Sequence, residues 1–296
     1  MNITNHLDLP ETVFRALTHS DYSRGNSNRS VTQLIDSPRV RILKKEHEDE
    51  ITEDASDMVW SVLGTAVHKV FEQERIDGHV LEERLYAEVD NWTISGAIDV
   101  QRKNAAGTDV EILDYKCTSV WSVIHGKVEW ENQLNFYAWL VEQSGKHISG
   151  LKIVAILRDY SRGKRFEKNY PEAPIVMIDI PLWSPEERDA YVRERVRLHQ
   201  AAEFDRLTGE ELPICTDAER WRKPTTYAVM SGKAKRAVRV FDEQIDAEKF
   251  LKAQPEEKRK AMRIEMRRGT CTRCADNWCR VAQWCDQWQA ENKDAV

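Results

Sequence analysis

The sequence predicts an α/β or α+β domain organised around a mixed β-sheet. Three observations carry this. Hydrophobic residues make up 41% and charged residues 32% of the 296, with 12 Gly and 9 Pro, which excludes a disordered or low-complexity chain. A chain of this length, one large domain or two small ones, buries a full core without covalent staples. The apolar periodicity also switches between the helical and the strand repeat, in the order α-β-β-β-α-β-β-α.

Residues 1–30 are polar and turn-rich around a short helical stretch, and residues 30–38 read as a capped helix ending near Pro38. From 57 to about 75, Val59, Trp60, Leu63, Val67, Val70 and Phe71 recur at helical spacing. Gly64 is unfavourable inside such a helix, which predicts close backbone packing there. Residues 81–89, 93–100 and 110–115 alternate or run apolar between Asp-Asn and Ala-Gly-Thr turn signals, as three strands do. Residues 129–143 form an amphipathic helix, with Leu134, Tyr137, Leu140 and Val141 on its apolar stripe. Residues 151–157 and 175–182 are strands, and 184–204 is a helix opened by the capping sequence Ser-Pro-Glu-Glu. Residues 227–230 and 237–241 flank a glycine-containing turn as a hairpin, followed by a helix at 245–251. No internal repeat or long linker interrupts the chain. The expected division is 1–56, a helical and loop segment; 57–205, the core; and 206–296, a C-terminal extension with the hairpin and most of the cysteines.

The net charge of −6 excludes a protein that coats nucleic acid indiscriminately, while leaving room for a local basic groove. Acidic residues crowd 46–57, and basic ones crowd 233–239 and 258–268. The apolar runs fall far short of the ~20 residues that span a bilayer. The first ten residues lack the basic and apolar regions of a signal peptide. Neither membrane insertion nor secretion is expected, and the expected location is the cytoplasm.

The chemistry is concentrated in the β block. Asp99 ends Gly96-Ala-Ile-Asp99, and the next strand ends Glu111-Ile-Leu-Asp114-Tyr-Lys116. Residues 114 and 116 are two apart on a strand and point to one face. If the two strands are neighbours, Asp99 comes within metal-sharing distance of Asp114. Two carboxylates converging with a lysine are what metal-assisted phosphodiester hydrolysis requires. Carboxylate oxygens hold a hard divalent cation. That cation activates water and neutralises phosphate charge, and a lysine orients the water or stabilises the transition state. Glu111 is the alternative acid, but an odd spacing from Asp114 places it on the opposite face. His68, on the helix before the β block, would as a lone helical histidine be structural. Gln133 and Tyr137 share one helix face at i, i+4, and as a pair read as a polar edge beside a core aromatic.

In this order, Gly64-Thr-Ala-Val-His68, Gly96-Ala-Ile-Asp99, Asp114-Tyr-Lys116 and Gln133-Leu-Asn-Phe-Tyr137 resemble the successive motifs of the PD-(D/E)XK nuclease superfamily, in its RecB-like and Cas4-like branch. The resemblance covers residues 60–140 closely, and a cysteine-rich C-terminus extends it to about 285. It implies a restriction-endonuclease-like core, a central mixed sheet flanked by helices, with a C-terminal metal-cluster segment. It also implies that His68, Asp99, Asp114 and the backbone carbonyl of Tyr115 hold Mg²⁺ or Mn²⁺ and that Lys116 is catalytic. Gln133 and Tyr137 would shape the active site and its DNA contacts. Asp114 stands where the name of the superfamily allows Asp or Glu.

Cysteines fall at 117, 215, 271, 274, 279 and 285, the last four within fifteen residues and interleaved with Trp278, Trp284 and Trp288. With no export signal, such clustering reads as metal ligation before disulfides. Zinc and a [4Fe–4S] cluster both accept four thiolates. Spacing does not choose between them; the resemblance favours iron–sulfur. The branch usually takes one ligand from far upstream, and no cysteine here precedes His68. Cys274, Cys279 and Cys285 are therefore the firmest ligands, with Cys271 as the fourth by proximity or Cys215 if the chain folds back. Cys117 reads as packing.

Trp121, Trp130 and Trp139 read as core or rim, an exposed one being able to stack on a single-stranded base. Arg158, Arg162, Lys164, Arg165 and Lys168 form a basic loop, either a solvated hairpin or an edge that tracks phosphates. The expected function is that of a Mg²⁺- or Mn²⁺-dependent deoxyribonuclease, an exonuclease acting on single-stranded DNA or free DNA ends in recombination, repair or phage-type DNA processing. The alternative is a non-catalytic DNA-binding or assembly subunit that keeps the fold, and an RNA-directed nuclease stays open. No Gly-x4-Gly-Lys-Ser/Thr loop is present, so any ATP-driven unwinding comes from a helicase or recombination partner.

Overall fold

The structure, a computed structural model, describes residues 1–19, 23–104 and 106–293. It forms two compact units, residues 1–42 with 47–213, and residues 43–46 with 214–296.

The first unit opens with β1 (Asn2–Thr4), α1 (Glu11–Thr18), β2 (Arg29–Ser30), α2 (Val31–Leu34) and α3 (Pro38–Glu46), of which the last turn groups with the second unit. Ser30 caps α2 through a capping box with Gln33, and Pro38 then starts α3. There follow β3 (Thr52–Asp54), paired in parallel with β1, and α4 (Val59–Glu72). The sheet is built from β4 (His79–Val89), β5 (Trp92–Lys103), β6 (Asp109–Thr118), β7 (His147–Leu157) and β8 (Ile175–Ile180). Helices α5 (Val120–His125) and α6 (Val128–Gln143) join β6 to β7, and α7 (Pro185–Thr208) follows β8. With β2 this makes a central mixed six-stranded sheet: β6–β7 and β2–β5 are parallel, and β4–β5, β5–β6 and β7–β8 antiparallel.

Helix α6 is buried on every side from Gln133 to Val141, where an amphipathic helix is expected. It lies against β7 and α7, so apolar Phe136, Ala138 and Trp139 are covered as fully as the predicted stripe. Helix α4 departs in the other direction. It forms as the periodicity predicts, but Val59, Trp60, Leu63 and Val70 are exposed and no residue of the helix is fully buried. The expectation for Gly64 is overturned too, since a Cβ there would meet nothing within 4 Å. The close approach belongs instead to Gly96 of β5, where a Cβ would stand 2.8 Å from Leu140 Cδ1 and 2.8 Å from Tyr137 Cε1.

In the second unit β9 (Thr226–Ser231) and β10 (Arg239–Phe241) form the expected hairpin. After α8 (Gln244–Lys252) and α9 (Glu256–Arg259), β11 (Met262–Arg267) pairs with the far side of β9, a strand that the charged run 258–268 conceals. The unit ends in α10 (Thr272–Ala275) and α11 (Asp286–Lys293). Among the described residues no helix is long and apolar enough to cross a membrane.

Candidate active site

Strands β5 and β6 pair from Lys103↔Val110 to Val100↔Leu113, and there the ladder stops. The N–H of Tyr115 is taken by the Asp99 carboxylate, Oδ2 at 2.7 Å. The strands thus part where two carboxylates enter, and a side chain satisfies the freed backbone donor. On β6, Lys116 Nζ lies 2.5 Å from Asp114 Oδ2, as the two-residue spacing predicts. From α6, Gln133 Nε2 donates to Asp114 Oδ1 at 3.2 Å and to Tyr137 Oη at 2.9 Å. The i, i+4 pair is therefore part of the cluster rather than a passive edge. Glu111 faces the other side and pairs with Arg102 and Lys152.

His68 reaches the same place from α4. Its Nδ1 stands 3.3 Å from Glu82 Oε1 and 3.5 Å from Asp99 Oδ1, and its Nε2 stands 3.2 Å from the carbonyl oxygen of Tyr115. The Tyr115 ring meets the imidazole edge-on, with Phe71 packed on it in turn. Ligand atoms of His68, Glu82 and Asp99 all lie within 4.8 Å of one another. Glu82 is the residue that sequence reasoning missed. It sits beside Glu83 in a strand of alternating side chains, and only the paired register shows that Glu83 serves Gln101 while Glu82 faces the site.

Asp99 and Asp114 are 7% and 1% exposed. Burial, then the Asp114 charge, pushes the Asp99 pKa well above the ordinary carboxylate range, against the pull of His68 and Lys116. The Glu82 hydrogen bond, opposed by burial and aided by Asp99, raises the His68 pKa. Asp114 Oδ2 is buried, makes no hydrogen bond and is ion-paired with the Lys116 ammonium. A buried carboxylate oxygen left without a donor is costly unless a cation answers it. Carboxylates, an imidazole and a carbonyl make the oxygen-rich donor set that suits Mg²⁺ or Mn²⁺. The residues present fit such an ion.

The cysteines form a second cluster. Cys215, Cys271, Cys274, Cys279 and Cys285 are all buried. The Cys274 thiol is pushed up to about 12, first by burial and then by Cys279, Cys271, Cys215 and Cys285 around it. The chain does fold back to bring in Cys215, whose backbone is bridged on both sides by the Gln287 amide. Cys271 Sγ lies 3.8 Å from Arg222 Nη1 and 3.7 Å from Glu291 Oε2. Among the described residues no three of these sulfurs lie within 4.8 Å of one another.

Of the tryptophans, Trp130 and Trp139 are core, and Trp121 is 68% exposed. In the basic loop Arg158, Arg162, Lys164 and Lys168 are exposed, as in a solvated hairpin. Ser161 N–H donates to Tyr170 Oη, whose ring packs on Tyr160, and the Arg158 guanidinium covers the exposed Trp60 ring at 4.4 Å.

The chain matches no family model and no curated protein. Among solved structures it is similar to the protein SSO0001, at 16% identity and a TM-score of 0.43, over 64% of this chain and 85% of that one. It is also similar to a protein from Eubacterium rectale that bears the name "Putative exonuclease", at 13% identity and a TM-score of 0.27, over 67% of this chain and 73% of that one. Likenesses this distant carry no inference about function, which has to come from the site itself.

Proposed function

We propose that the chain is a Mg²⁺- or Mn²⁺-dependent deoxyribonuclease of the RecB-like and Cas4-like kind, acting on DNA with single strands or free ends. The observation that carries this is the parting of β5 and β6 around two buried carboxylates, Asp99 and Asp114, with the Lys116 ammonium ion-paired to Asp114. His68, Asp99, Asp114 and the Tyr115 carbonyl would hold the cation. When bound, it supplies an activated water and neutralises charge on the phosphate. Gln133 fixes the rotamer of Asp114 by donating to Oδ1, and Tyr137 fixes Gln133. The Lys116 ammonium is held on the face of the carboxylates, where a phosphate oxygen gaining charge would meet it. Unwinding of duplex DNA falls to a separate helicase or recombination partner.

The cysteines of the second unit would hold a [4Fe–4S] cluster. The thiols gathered around Cys274 would supply its ligands; zinc accepts four thiolates as well, and it is the resemblance to the RecB-like and Cas4-like branch that favours iron–sulfur.

Anaerobically purified protein with end-labelled single- and double-stranded DNA tests the proposal. Cleavage in Mg²⁺ or Mn²⁺, none in EDTA, and its loss in Asp99→Ala, Asp114→Ala and Lys116→Ala that still fold is the expected result. Full activity in Asp114→Ala overturns it, and DNA binding without cleavage under every metal condition would make the chain a non-catalytic DNA-binding subunit.

A further inference from the structure

Glu82 is the one residue of the cluster with no part in the proposed chemistry, and its backbone is out of place. It lies within β4 at φ +51°, the left-handed region that a β-strand avoids and a side chain with a Cβ seldom adopts. Pairing with β5 runs through Leu81↔Val100 and resumes at Glu83↔Ile98, so Glu82 falls across from Asp99 where the ladder is interrupted. Strain of this kind persists where the surroundings over-determine it, and it concentrates at functional sites.

We infer that Glu82 is a positioning residue for His68, its carboxylate accepting from Nδ1–H so that Nε2 is the nitrogen left to face the metal. The inference rests on the metal site proposed above. There the imidazole would hold a cation together with the Tyr115 carbonyl, and the nitrogen that faces that carbonyl is Nε2, at 3.2 Å. Nδ1 is then the nitrogen to be held, and Glu82 Oε1 lies 3.3 Å from it. Asp99 Oδ1 is farther, at 3.5 Å, and the same carboxylate already receives the Tyr115 N–H. A carboxylate behind a ligating histidine is a recurrent arrangement, because it fixes tautomer and ring orientation together. Here the need is concrete. Helix α4 has no fully buried residue and packs on the sheet through Phe71 against Tyr115, so a tether from β4 adds to that contact in setting how the helix presents His68.

The test is equilibrium Mn²⁺ binding, by calorimetry or electron paramagnetic resonance, on the full chain without DNA. Glu82→Ala should weaken Mn²⁺ by about 10- to 100-fold. Glu82→Gln keeps an acceptor oxygen while losing the charge, and it should stay within about 3-fold of wild type, since the hydrogen bond rather than the charge does the holding. In a His68→Ala background, Glu82→Ala should add less than about 2-fold, because a residue that acts through His68 has nothing left to hold. Glu82→Gly suits φ +51°, so it should unfold at the same temperature as wild type or higher while binding Mn²⁺ as weakly as Glu82→Ala. That variant keeps the test decisive should Glu82→Ala fold poorly. An equal loss from Glu82→Ala with and without His68, or a loss in Glu82→Gln as deep as in Glu82→Ala, would make Glu82 a direct ligand and overturn the inference. Unchanged affinity in Glu82→Gly would overturn it as well. Wild-type protein that binds no Mn²⁺ would refute the metal site itself and this inference with it.

Discussion

Replacing Gly96 by alanine tests whether the packing of α6 against β5 positions the site. The new Cβ would stand 2.8 Å from both Leu140 Cδ1 and Tyr137 Cε1, where ordinary contact begins at 3.4 Å. Each neighbour would have to yield by about 0.6 Å. Leu140 is 1% and Tyr137 4% exposed, so neither side chain has space to turn into and the displacement passes to α6 itself. Overpacking of this kind destabilises by about 1–3 kcal/mol. Two unyielding contacts place Gly96→Ala in the upper half of that range, about 2–3 kcal/mol or roughly a 30- to 150-fold fall in the folded-to-unfolded ratio. Because Gln133 and Tyr137 ride on α6, the Gln133–Asp114 hydrogen bond should loosen and cleavage should fall even where the protein remains folded. Urea unfolding gives the first quantity, and initial cleavage rates at low temperature give the second. A free-energy loss under about 0.5 kcal/mol, the level of an innocuous surface change, would show that α6 has slack and refute the reasoning.

His199 is buried, accepts from Arg41 Nε at Nδ1 and donates from Nε2 to the Leu34 and Asp36 carbonyls. Burial, then Arg41 and Arg195, lowers its pKa from 6.5 to about 3. Between those values the unfolded chain binds a proton that the folded chain refuses, so stability is full above pH 6.5 and is lost as pH falls. This group alone should remove about 2 kcal/mol at pH 5, read as the difference in pH dependence between wild type and His199→Gln; identical slopes would contradict it. Ser at Cys274, Cys279 or Cys285 should release iron and sulfide and lower the stability of the second unit. Only one of Cys271→Ser and Cys215→Ser should do the same, and normal iron content in every variant would refute the cluster. His68→Ala should slow cleavage less than Asp114→Ala and recover partly in excess Mn²⁺. No recovery in a folded His68→Ala protein would make the histidine structural.

Strands β4 to β8 were legible because they alternate or run apolar, while the two-residue β2 carries no such pattern, and Asp114 and Lys116 were legible because a two-residue spacing fixes a common face. Neither property extends across strands. That Asp99 would meet Asp114 hung on β5 and β6 being neighbours, and the parting of the strands just there has no local signal. Glu82 was illegible for a stronger reason: its role depends on a positive φ and on which strand lies opposite, and Glu83 beside it looks identical in sequence. The glycines show the same limit. Gly64 drew notice because glycine is unfavourable in a helix, yet the helix lies at the surface and a side chain there would meet nothing. Gly96 was unremarkable in its strand, although α6 presses on it. Strand β11 was hidden because Arg263, Arg267 and Arg268 made the segment read as a basic patch.

The most direct test of the central claim is cleavage of end-labelled single-stranded DNA by one preparation carried through EDTA and then titrated with Mn²⁺, beside Asp114→Asn treated identically. Asparagine keeps the shape and the acceptor oxygen that Gln133 contacts but removes the charge that holds the cation. Wild-type cleavage should vanish in EDTA and return with Mn²⁺ along the same curve as Mn²⁺ binding, while the folded Asp114→Asn protein stays inactive at every concentration. Cleavage that persists in EDTA, or that Asp114→Asn supports at the wild-type rate, would contradict the account.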